Sequence, residues 1–311
     1  MRTSAVIRII LWTIVAIILV SILAAGLFGR ALNFFGGIRV PNLAGSYRAY
    51  EDSRFEAAEK ASVKAAGVSS VDIDWRSGAV EISLYDGEEI KFSESSYADI
   101  TSDYRMRFAV EDSVLKIRFA RSGVRFVNTF INRGKTLTLQ LPRDMVFDRF
   151  SVDAISATVS INGLNAKDCV VDTVSGQISI FGAELKTLKT NSVSGRVDLD
   201  DVYADQLVAD TISGRLEANG SFQSVSANSV SGSVNIDSAK MPERVAVDTV
   251  SGSLTLRIPE NDGFEVNYSK VSGSFSCDFE VRQTNRTATH KGGGAKISLN
   301  TVSGSIRIRE R

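Results

Sequence analysis

Apolar and polar residues follow three different patterns along the chain. The first covers residues 5–28, which are almost wholly apolar, with no charged residue between Ile9 and Phe28. Twenty helical residues rise about 30 Å, the thickness of a bilayer core. The run is longer than that of a signal peptide, so we favour an uncleaved anchor. Residues 1–30 are therefore predicted to form a cytoplasmic tip and an N-terminal transmembrane helix.

The second pattern covers residues 31–67. Glycine and proline are frequent in its first half, which indicates a juxtamembrane linker. From Tyr50 to Ala66 the sequence is rich in Ala, Glu and Lys, and Glu56 and Lys60 lie at the i, i+4 spacing that supports a helix. We expect a linker followed by a short stalk helix.

The third pattern is a repeated five-residue phrase, D/N-T/S-V/I-S-G, in the C-terminal half. A looser copy, SKVSG, occurs at 269–273 and a degenerate first copy, DAISA, at 153–157. The motif serines, starting from Ser156, are 19, 19, 19, 18, 20, 21 and 31 residues apart. A period near 19 residues predicts stacked repeats. The motif glycines are Gly176, Gly195, Gly214, Gly232, Gly252, Gly273 and Gly304.

Within one repeat, apolar and polar residues alternate as in β-strands, and the alternation changes phase at the motif. Val247 and Leu254, for example, are both expected to face inward although they differ in parity. A bend at the motif explains this, with Gly252 supplying either a positive φ or room for close backbone approach. We predict an all-β fold, a single-stranded β-helix or solenoid of about 19-residue coils with two short strands each. It would span residues 68–311, with regular repeats from about residue 151.

The first motif position alternates between acid and amide. In a stack, equivalent residues lie about 4.8 Å apart. Carboxylates about 5 Å apart repel by roughly 0.8 kcal/mol even in water, whereas an amide offers a carboxylate an N–H donor. Either this physical advantage or duplication of a double repeat explains the alternation. The residues are Asp172, Asn191, Asp210, Asn228 and Asp248.

Residues 68–150 predict less regular β-structure. The segment DWRSG at 74–78 is similar to the later motif, so we expect the coils to begin before residue 150. A hairpin is expected around 71–84, with strands near 90–94, 104–110, 114–120 and 135–142.

The repeated phrases also carry a family resemblance. Together with the segment VSSVDIDWRSGAVEISLYDGEEIKFSES and the closing AKISLNTVSGSIRIRE, they resemble the putative-adhesin family of bacterial envelope proteins over roughly residues 68–311. The resemblance implies a β-helix or solenoid, a place at the cell envelope and no known enzymatic activity. Family members are often membrane-anchored or encoded beside envelope-stress components. This chain departs from the pattern at Ser269 and Lys270, which replace the Asp/Asn-Thr pair, and in its expanded last interval.

The chain has only two cysteines and one histidine. Cys169 and Cys277 are separated by about six coils, or nearly 30 Å, so we expect both to be buried and free. His290 stands beside a glycine run, where we expect a mobile hairpin loop rather than a phosphate-binding loop. A single histidine supports neither a His-based zinc site nor a Ser-His-Asp triad. We expect no cofactor, no metal and no catalytic residue.

Asp198, Asp200 and Asp201 form an acidic cluster. Such carboxylates could act as a pair in a polysaccharide-cleaving β-helix enzyme or hold Ca²⁺. Neighbouring coils have no counterpart, so we favour a solvated turn.

A candidate partner or capping segment lies at 121–135. It contains two apolar i, i+4 pairs bordered by arginines. The segment could dock on a membrane surface or a partner protein, but we favour a cap over the open end of the solenoid. The paired residues are Phe126 with Phe130 and Val127 with Ile131.

Charge and composition restrict the function further. The chain carries 36 basic and 36 acidic side chains, and this balance argues against nucleic-acid binding. We expect a non-enzymatic, single-pass cell-membrane protein whose extracytoplasmic solenoid is a binding or adhesion surface for a cell-wall polymer or another envelope protein. An envelope-stress sensor or regulatory accessory protein and a β-helix polysaccharide-active enzyme are the alternatives.

Overall fold

Strands make up almost all of the regular structure. The computed structural model describes residues 50–124 and 135–311, with the backbone alone of residues 33–34 and 38–39. This part contains 22 strands, two short 3-10 turns and no α-helix, which confirms the all-β prediction. The 3-10 turns are Asp52–Arg54 and Ala65–Gly67. The strands are β1 Asn33–Phe34, β2 Ile38–Arg39, β3 Glu56–Ala57, β4 Lys60–Lys64, β5 Ser70–Tyr85, β6 Glu89–Ser95, β7 Arg107–Glu111, β8 Val114–Arg118, β9 Thr136–Pro142, β10 Phe147–Thr173, β11 Ile178–Ser192, β12 Val197–Thr211, β13 Leu216–Ser231, β14 Val234–Ser238, β15 Arg244–Ser251, β16 Leu254–Ile258, β17 Gly263–Ser272, β18 Phe275–Cys277, β19 Val281–Thr284, β20 Thr287–Lys291, β21 Ala295–Ser303 and β22 Ile306–Glu310.

Two predicted segments lie outside the described residues. One is the anchor in residues 1–30; in the described part of the chain, no helix has the length and apolar character needed to cross a membrane. The other contains the candidate partner or capping residues Phe126, Val127, Phe130 and Ile131.

Successive repeats pair in parallel. Val159 of β10 lies opposite Ile178 of β11, which lies opposite Val197 of β12, an offset of one 19-residue repeat at each step. The parallel register continues through β13 to β16, and strands β3 to β22 belong to one 20-stranded sheet in the described part. The sequence period therefore corresponds to coils stacked one on another.

Each coil bends at the motif. Leu188 and Thr190 are buried before it, and Val197 and Leu199 are buried after it, so the inward parity changes as predicted. A second bend occurs at Gly182, whose φ is +66°. The long strand β11 is thus divided into two segments.

Chain order and spatial order differ at both ends of the stack. At the C-terminal end, β21 lies between β15 and β17, and β22 lies between β16 and β18. The motif at 300–304 therefore packs between those at 248–252 and 269–273. At the other end, β5 lies between β10 and the pair formed by β8 and β9. For these strands, the order of the coils in the stack therefore differs from their order in the sequence.

The predicted stalk helix does not form. Residues 60–64 instead form β4, which runs antiparallel to β6, with Val63 opposite Ile90. Ala61 and Val63 pack against the core, so pairing at the sheet edge overrides the helix propensity of this segment.

The predicted hairpin at 71–84 is also wrong. Residues 70–85 form one long strand, β5, in which Asp74 lies opposite Asp153 and Ser77 lies opposite Ser156. This register confirms that motif-containing coils begin before residue 150. The strands expected near 90–94, 104–110, 114–120 and 135–142 are present as β6 to β9.

A buried ion pair stabilises the N-terminal end of the core. The Lys135 Nζ lies 2.6 Å from Glu94 Oε2, and both side chains are fully buried. The ammonium also donates to the carbonyl oxygens of Tyr104 and Phe119 and lies 4.8 Å from the Trp75 ring centroid. Burial lowers the pKa of Lys135 to about 8, against the opposing effect of the Glu94 carboxylate.

Candidate functional site

The outward side of the motif strands forms a continuous surface along the stack. Neighbouring residues of a strand point to opposite sides, and the second motif residue is buried in all six regular copies, from Thr173 to Thr301. The first and third residues lie on the opposite side, where Asp172, Asn191 and Asp210 are still buried and Asp248 is exposed. We call the surface that they form the motif ledge. Its third-position column is Val174, Val193, Ile212, Val230, Val250, Val302 and Val271.

This apolar column is partly exposed throughout. Val271, on the last coil, has 60% of its surface exposed, and the other six members are half-buried. Seven coils at about 4.8 Å per step give the ledge a length of about 29 Å.

The first-position column consists of acid–amide pairs. In each pair, an asparagine Nδ2 donates to the aspartate Oδ1 of the neighbouring coil, which confirms the expected amide donor. The pair of Asp248 depends on the inserted β21, because its neighbour in space is Asn300 rather than Ser269. The pairs are Asn191–Asp172 at 2.5 Å, Asn228–Asp210 at 2.7 Å and Asn300–Asp248 at 2.7 Å. The column therefore repeats every two coils, or about 10 Å.

Burial changes the titration of one member of this column. The pKa of Asp210 is raised above its usual value because the carboxyl is withdrawn from water, while the hydrogen bonds from Asn228 oppose the shift. The amide donor thus offsets part of the cost of placing this carboxylate on the ledge.

The motif glycines allow the coils to approach each other at the corner. A Cβ on any of the seven would lie between 1.7 and 2.1 Å from a carbonyl oxygen of an adjacent coil; for Gly195 the atom is the Gly176 oxygen, at 1.9 Å. Of the two roles left open by the sequence, close approach is common to all seven. Gly273 also has a positive φ, +117°.

A groove of about 380 Å³ occupies the C-terminal part of the ledge. Residues from five coils line it, so its length is about 19 Å. One wall is apolar and contains Val230, Val250 and Val302, and the other contains Asn228 and the exposed Asp248. A ligand there would meet apolar contacts on one side and hydrogen-bonding groups on the other.

The acidic cluster forms separate contacts. Asp198 lies 2.5 Å from the Arg196 Nε, and Asp200 accepts a hydrogen bond from Asn219 at 2.7 Å. Asp201 has a φ of +53°, as in a turn. Across residues 50–124 and 135–311, no group of three His, Cys, Asp or Glu side chains has the arrangement of a metal site.

His290 is buried in the fold. The histidine is not in a mobile loop: it lies in β20, is 6% exposed, donates from Nδ1 to the Glu280 carbonyl oxygen at 2.8 Å and packs between Phe264 and Phe279. Its apolar neighbours and the pairing of β20 with adjacent strands explain why His290 is buried rather than in the loop expected from the sequence.

Both cysteines are free, as predicted. Cys169 is fully buried, which raises its pKa to about 12, whereas Cys277 is only half-buried.

Two features of the site escaped sequence reasoning. The outward Val/Ile column is visible as the constant third motif position, once the second position is known to be buried. The pairing of Asp248 with Asn300 depends on the return of β21 to a place between β15 and β17. The sequence signal for this pairing is weaker: Ser269 interrupts the alternation of acid and amide at the first motif position.

Comparison with known proteins agrees with this arrangement of repeats. The Toastrack DUF4097 family matches residues 111–309. The chain belongs to this family. No curated protein matches the chain significantly. Similar solved structures include a putative lipid binding protein from Parabacteroides distasonis, which is 17% identical with a TM-score of 0.50, over 83% of this chain and 97% of that one.

Two further solved structures match a similar extent of this chain. A putative adhesin from Bacteroides fragilis is 15% identical, with a TM-score of 0.47, over 80% of this chain and 95% of that one. A putative adhesin from Parabacteroides distasonis is 11% identical, with a TM-score of 0.43, over the same shares of the two chains.

Proposed function

We propose that this protein is a non-enzymatic, membrane-anchored component of the cell envelope whose extracytoplasmic coils bind an envelope polymer or partner protein along the motif ledge. The apolar segment at residues 5–28 supports the anchor. The observation that carries the binding role is the column of partly exposed Val and Ile side chains beside the acid–amide column.

The outward apolar column is not needed to fill the interior of the coils. Inward residues such as Leu188 and Val197 provide that core. Contacts between neighbouring Val and Ile side chains support the stack but leave their outer faces uncovered. An ordered apolar stripe with polar neighbours is typical of an interaction surface.

A retention experiment tests the ledge. Full-length protein in detergent is incubated with purified cell-wall sacculi, and the bound fraction is compared for Val193→Lys and Phe181→Lys. Phe181 is the matched control because it is apolar, 53% exposed and in the same repeat but off the ledge. We expect at least a tenfold loss for Val193→Lys and no change for Phe181→Lys; equal retention of both variants would contradict the proposal.

The location has an independent test. Protease added to intact cells should digest the repeat region while a cytoplasmic control protein survives. Protection of the repeats, in cells where known surface proteins are digested, would place them on the other side of the membrane.

A further inference from the structure

The hydrogen bonds of the acid–amide column all run in one direction. Each asparagine Nδ2 donates to the aspartate of the preceding coil in the stack: Asn191 to Asp172, Asn228 to Asp210 and Asn300 to Asp248. The nitrogen and the oxygen of an amide diverge, so each amide oxygen is turned away from the aspartate that accepts the bond. Asn191 Oδ1 is therefore turned toward the next coil, where Asp210 lies directly opposite Asn191 in the pairing of β11 with β12.

The contact between Asn191 and Asp210 is buried and lacks a donor. Asn191 is 2% exposed and Asp210 is 5% exposed, and Asn191 Oδ1 has no hydrogen-bond partner among the described residues. An ionised carboxylate opposite this oxygen would be a second acceptor. The equivalent contact between Asn228 and Asp248 differs, because Asp248 is exposed to solvent. Of these two contacts, the one between β11 and β12 therefore needs a donor that water does not supply.

A proton on Asp210 would be that donor. A protonated carboxyl has one O–H donor and keeps acceptor capacity on its other oxygen. Asp210 Oδ1 already accepts a hydrogen bond from Asn228 Nδ2 at 2.7 Å, so Oδ2 is the oxygen that remains to carry the proton. The hydrogen bonds then run without a gap from Asn228 through Asp210 and Asn191 to Asp172.

The charges around Asp210 are consistent with a bound proton. Lys189 of β11 favours the ionised carboxylate, whereas β13 presents the neutral amide of Asn228 on the other side. The carboxylates of Asp172 and Asp248 lie two coils away, at about 10 Å, and disfavour a further negative charge. Burial outweighs Lys189 and the hydrogen bonds from Asn228, and it raises the pKa of Asp210 above its usual value.

We propose that Asp210 donates a proton to Asn191 Oδ1 and that this proton makes the motif ledge pH-sensitive, because the contact between β11 and β12 is attractive while Asp210 is neutral and repulsive once Asp210 is ionised. Val193 and Ile212 of the apolar column follow two residues later in the same two coils. Acid therefore holds this part of the ledge together, and a rise in pH loosens it. The effect on ligand binding rests on the proposed function of the ledge, whereas the proton itself does not.

Infrared spectroscopy of the full-length protein in detergent detects the proton, because a protonated carboxyl has a carbonyl stretch that a carboxylate lacks. We expect the wild type to keep such a band above about pH 4, the usual pKa of an aspartate, and Asp210→Asn to lack it. Identical spectra of the two proteins in this region above about pH 4 would overturn the proposal. This comparison needs no variant that removes a hydrogen bond of the column.

A matched pair of substitutions separates a hydrogen bond to Asn191 from burial alone. Asn191→Ser removes the acceptor of the proton, so the band should be lost at a pH about one unit lower than in the wild type. Asn228→Ser removes the donor that stabilises the carboxylate, so the band should persist to a pH about one unit higher. The column already accommodates a serine, Ser269, at this position. Shifts of the same sign in the two variants, or no shift in Asn191→Ser, would contradict the proposal.

Retention on sacculi at pH 5 and pH 8 distinguishes the pH-sensitive contact from the function of the ledge. We expect the wild type to bind about fivefold more tightly at pH 5 relative to Asp210→Asn, which keeps a donor toward Asn191 at both pH values. If Val193→Lys abolishes retention but the wild type and Asp210→Asn respond equally to pH, the ledge function stands and the pH-sensitive device is wrong. If the infrared shifts appear as expected but Val193→Lys is retained like the wild type, the proton stands and binding along the ledge is wrong.

Discussion

Replacing Gly195 with alanine places a methyl group where two coils meet. The new Cβ would lie 1.9 Å from the Gly176 carbonyl oxygen, whereas real Cβ atoms essentially never approach closer than 3.0 Å. The atom in the way belongs to the backbone, so no side chain can turn aside. The corner must open by about 1 Å.

The cost has two parts. Overpacking of this kind typically costs about 1–3 kcal/mol. Opening the corner also weakens the hydrogen bonds from Ser194 to Val174 at 2.9 Å and from Ser213 to Val193 at 2.8 Å, each worth about 0.5–1.5 kcal/mol. We therefore expect Gly195→Ala to lower the free energy of unfolding by about 2–6 kcal/mol.

Guanidinium unfolding followed by circular dichroism measures this change. Gly67→Ala is the control, because its Cβ would have no atom within 4 Å and its φ lies outside the left-handed region. We expect Gly67→Ala to be neutral or to stabilise the protein by up to about 1 kcal/mol. A cost below about 0.5 kcal/mol for Gly195→Ala would refute the close-approach role of the motif glycines.

Three further predictions concern the acid–amide column, the Lys135–Glu94 ion pair and the order of the coils. Asp210→Asn should raise the melting temperature at pH 7, because the raised pKa of Asp210 means that the folded state disfavours its charged carboxylate. The gain should vanish near pH 3, below the pKa of an aspartate in the unfolded chain, because the carboxyl is then protonated in both states. Lys135→Met should reduce the free energy of unfolding in guanidinium by about 3–5 kcal/mol, since it leaves the Glu94 carboxylate buried without its counter-charge. Deleting residues 295–311 should produce a protein that binds a hydrophobic dye, because it removes an interior coil and exposes the strands on both sides.

A specific outcome would contradict each of these three predictions. A gain for Asp210→Asn that persists unchanged at pH 3 would show that the carboxylate charge is not its source. Unchanged stability of Lys135→Met, or a loss that is not recovered when Glu94→Gln is added, would mean that the ion pair is uncoupled from folding. A truncated protein that melts as cooperatively as the full chain, with no dye binding, would show that the C-terminal strands are peripheral.

The coil and its corner were predictable from local pattern. The constant spacing of the V-S-G phrase predicted the register, and the parity change between Val247 and Leu254 predicted the bend, because both depend on neighbouring residues. The glycine role was ambiguous, since either a positive φ or close approach suits Gly252. Only the carbonyl of the adjacent coil decides between them.

The features that local pattern missed depend on distant pairing. Residues 50–66 have helix-forming composition, but β6 provides a partner strand that the local sequence does not show. The insertion of β21 between β15 and β17 likewise depends on how the chain returns after its last long interval. The burial of His290 has the same origin, because Phe264 and Phe279 reach it from separate strands.

The central claim is that ligand contact occurs along the motif ledge. Hydroxyl-radical footprinting of the full-length protein, with and without solubilised cell-wall glycan, measures it side chain by side chain. We predict that oxidation of Val193, Val230 and Val250 falls when glycan is present, while that of Phe181 and Tyr203, exposed elsewhere on the coils, stays the same. Unchanged oxidation of the valines, or protection confined to Phe181 and Tyr203, would contradict the account.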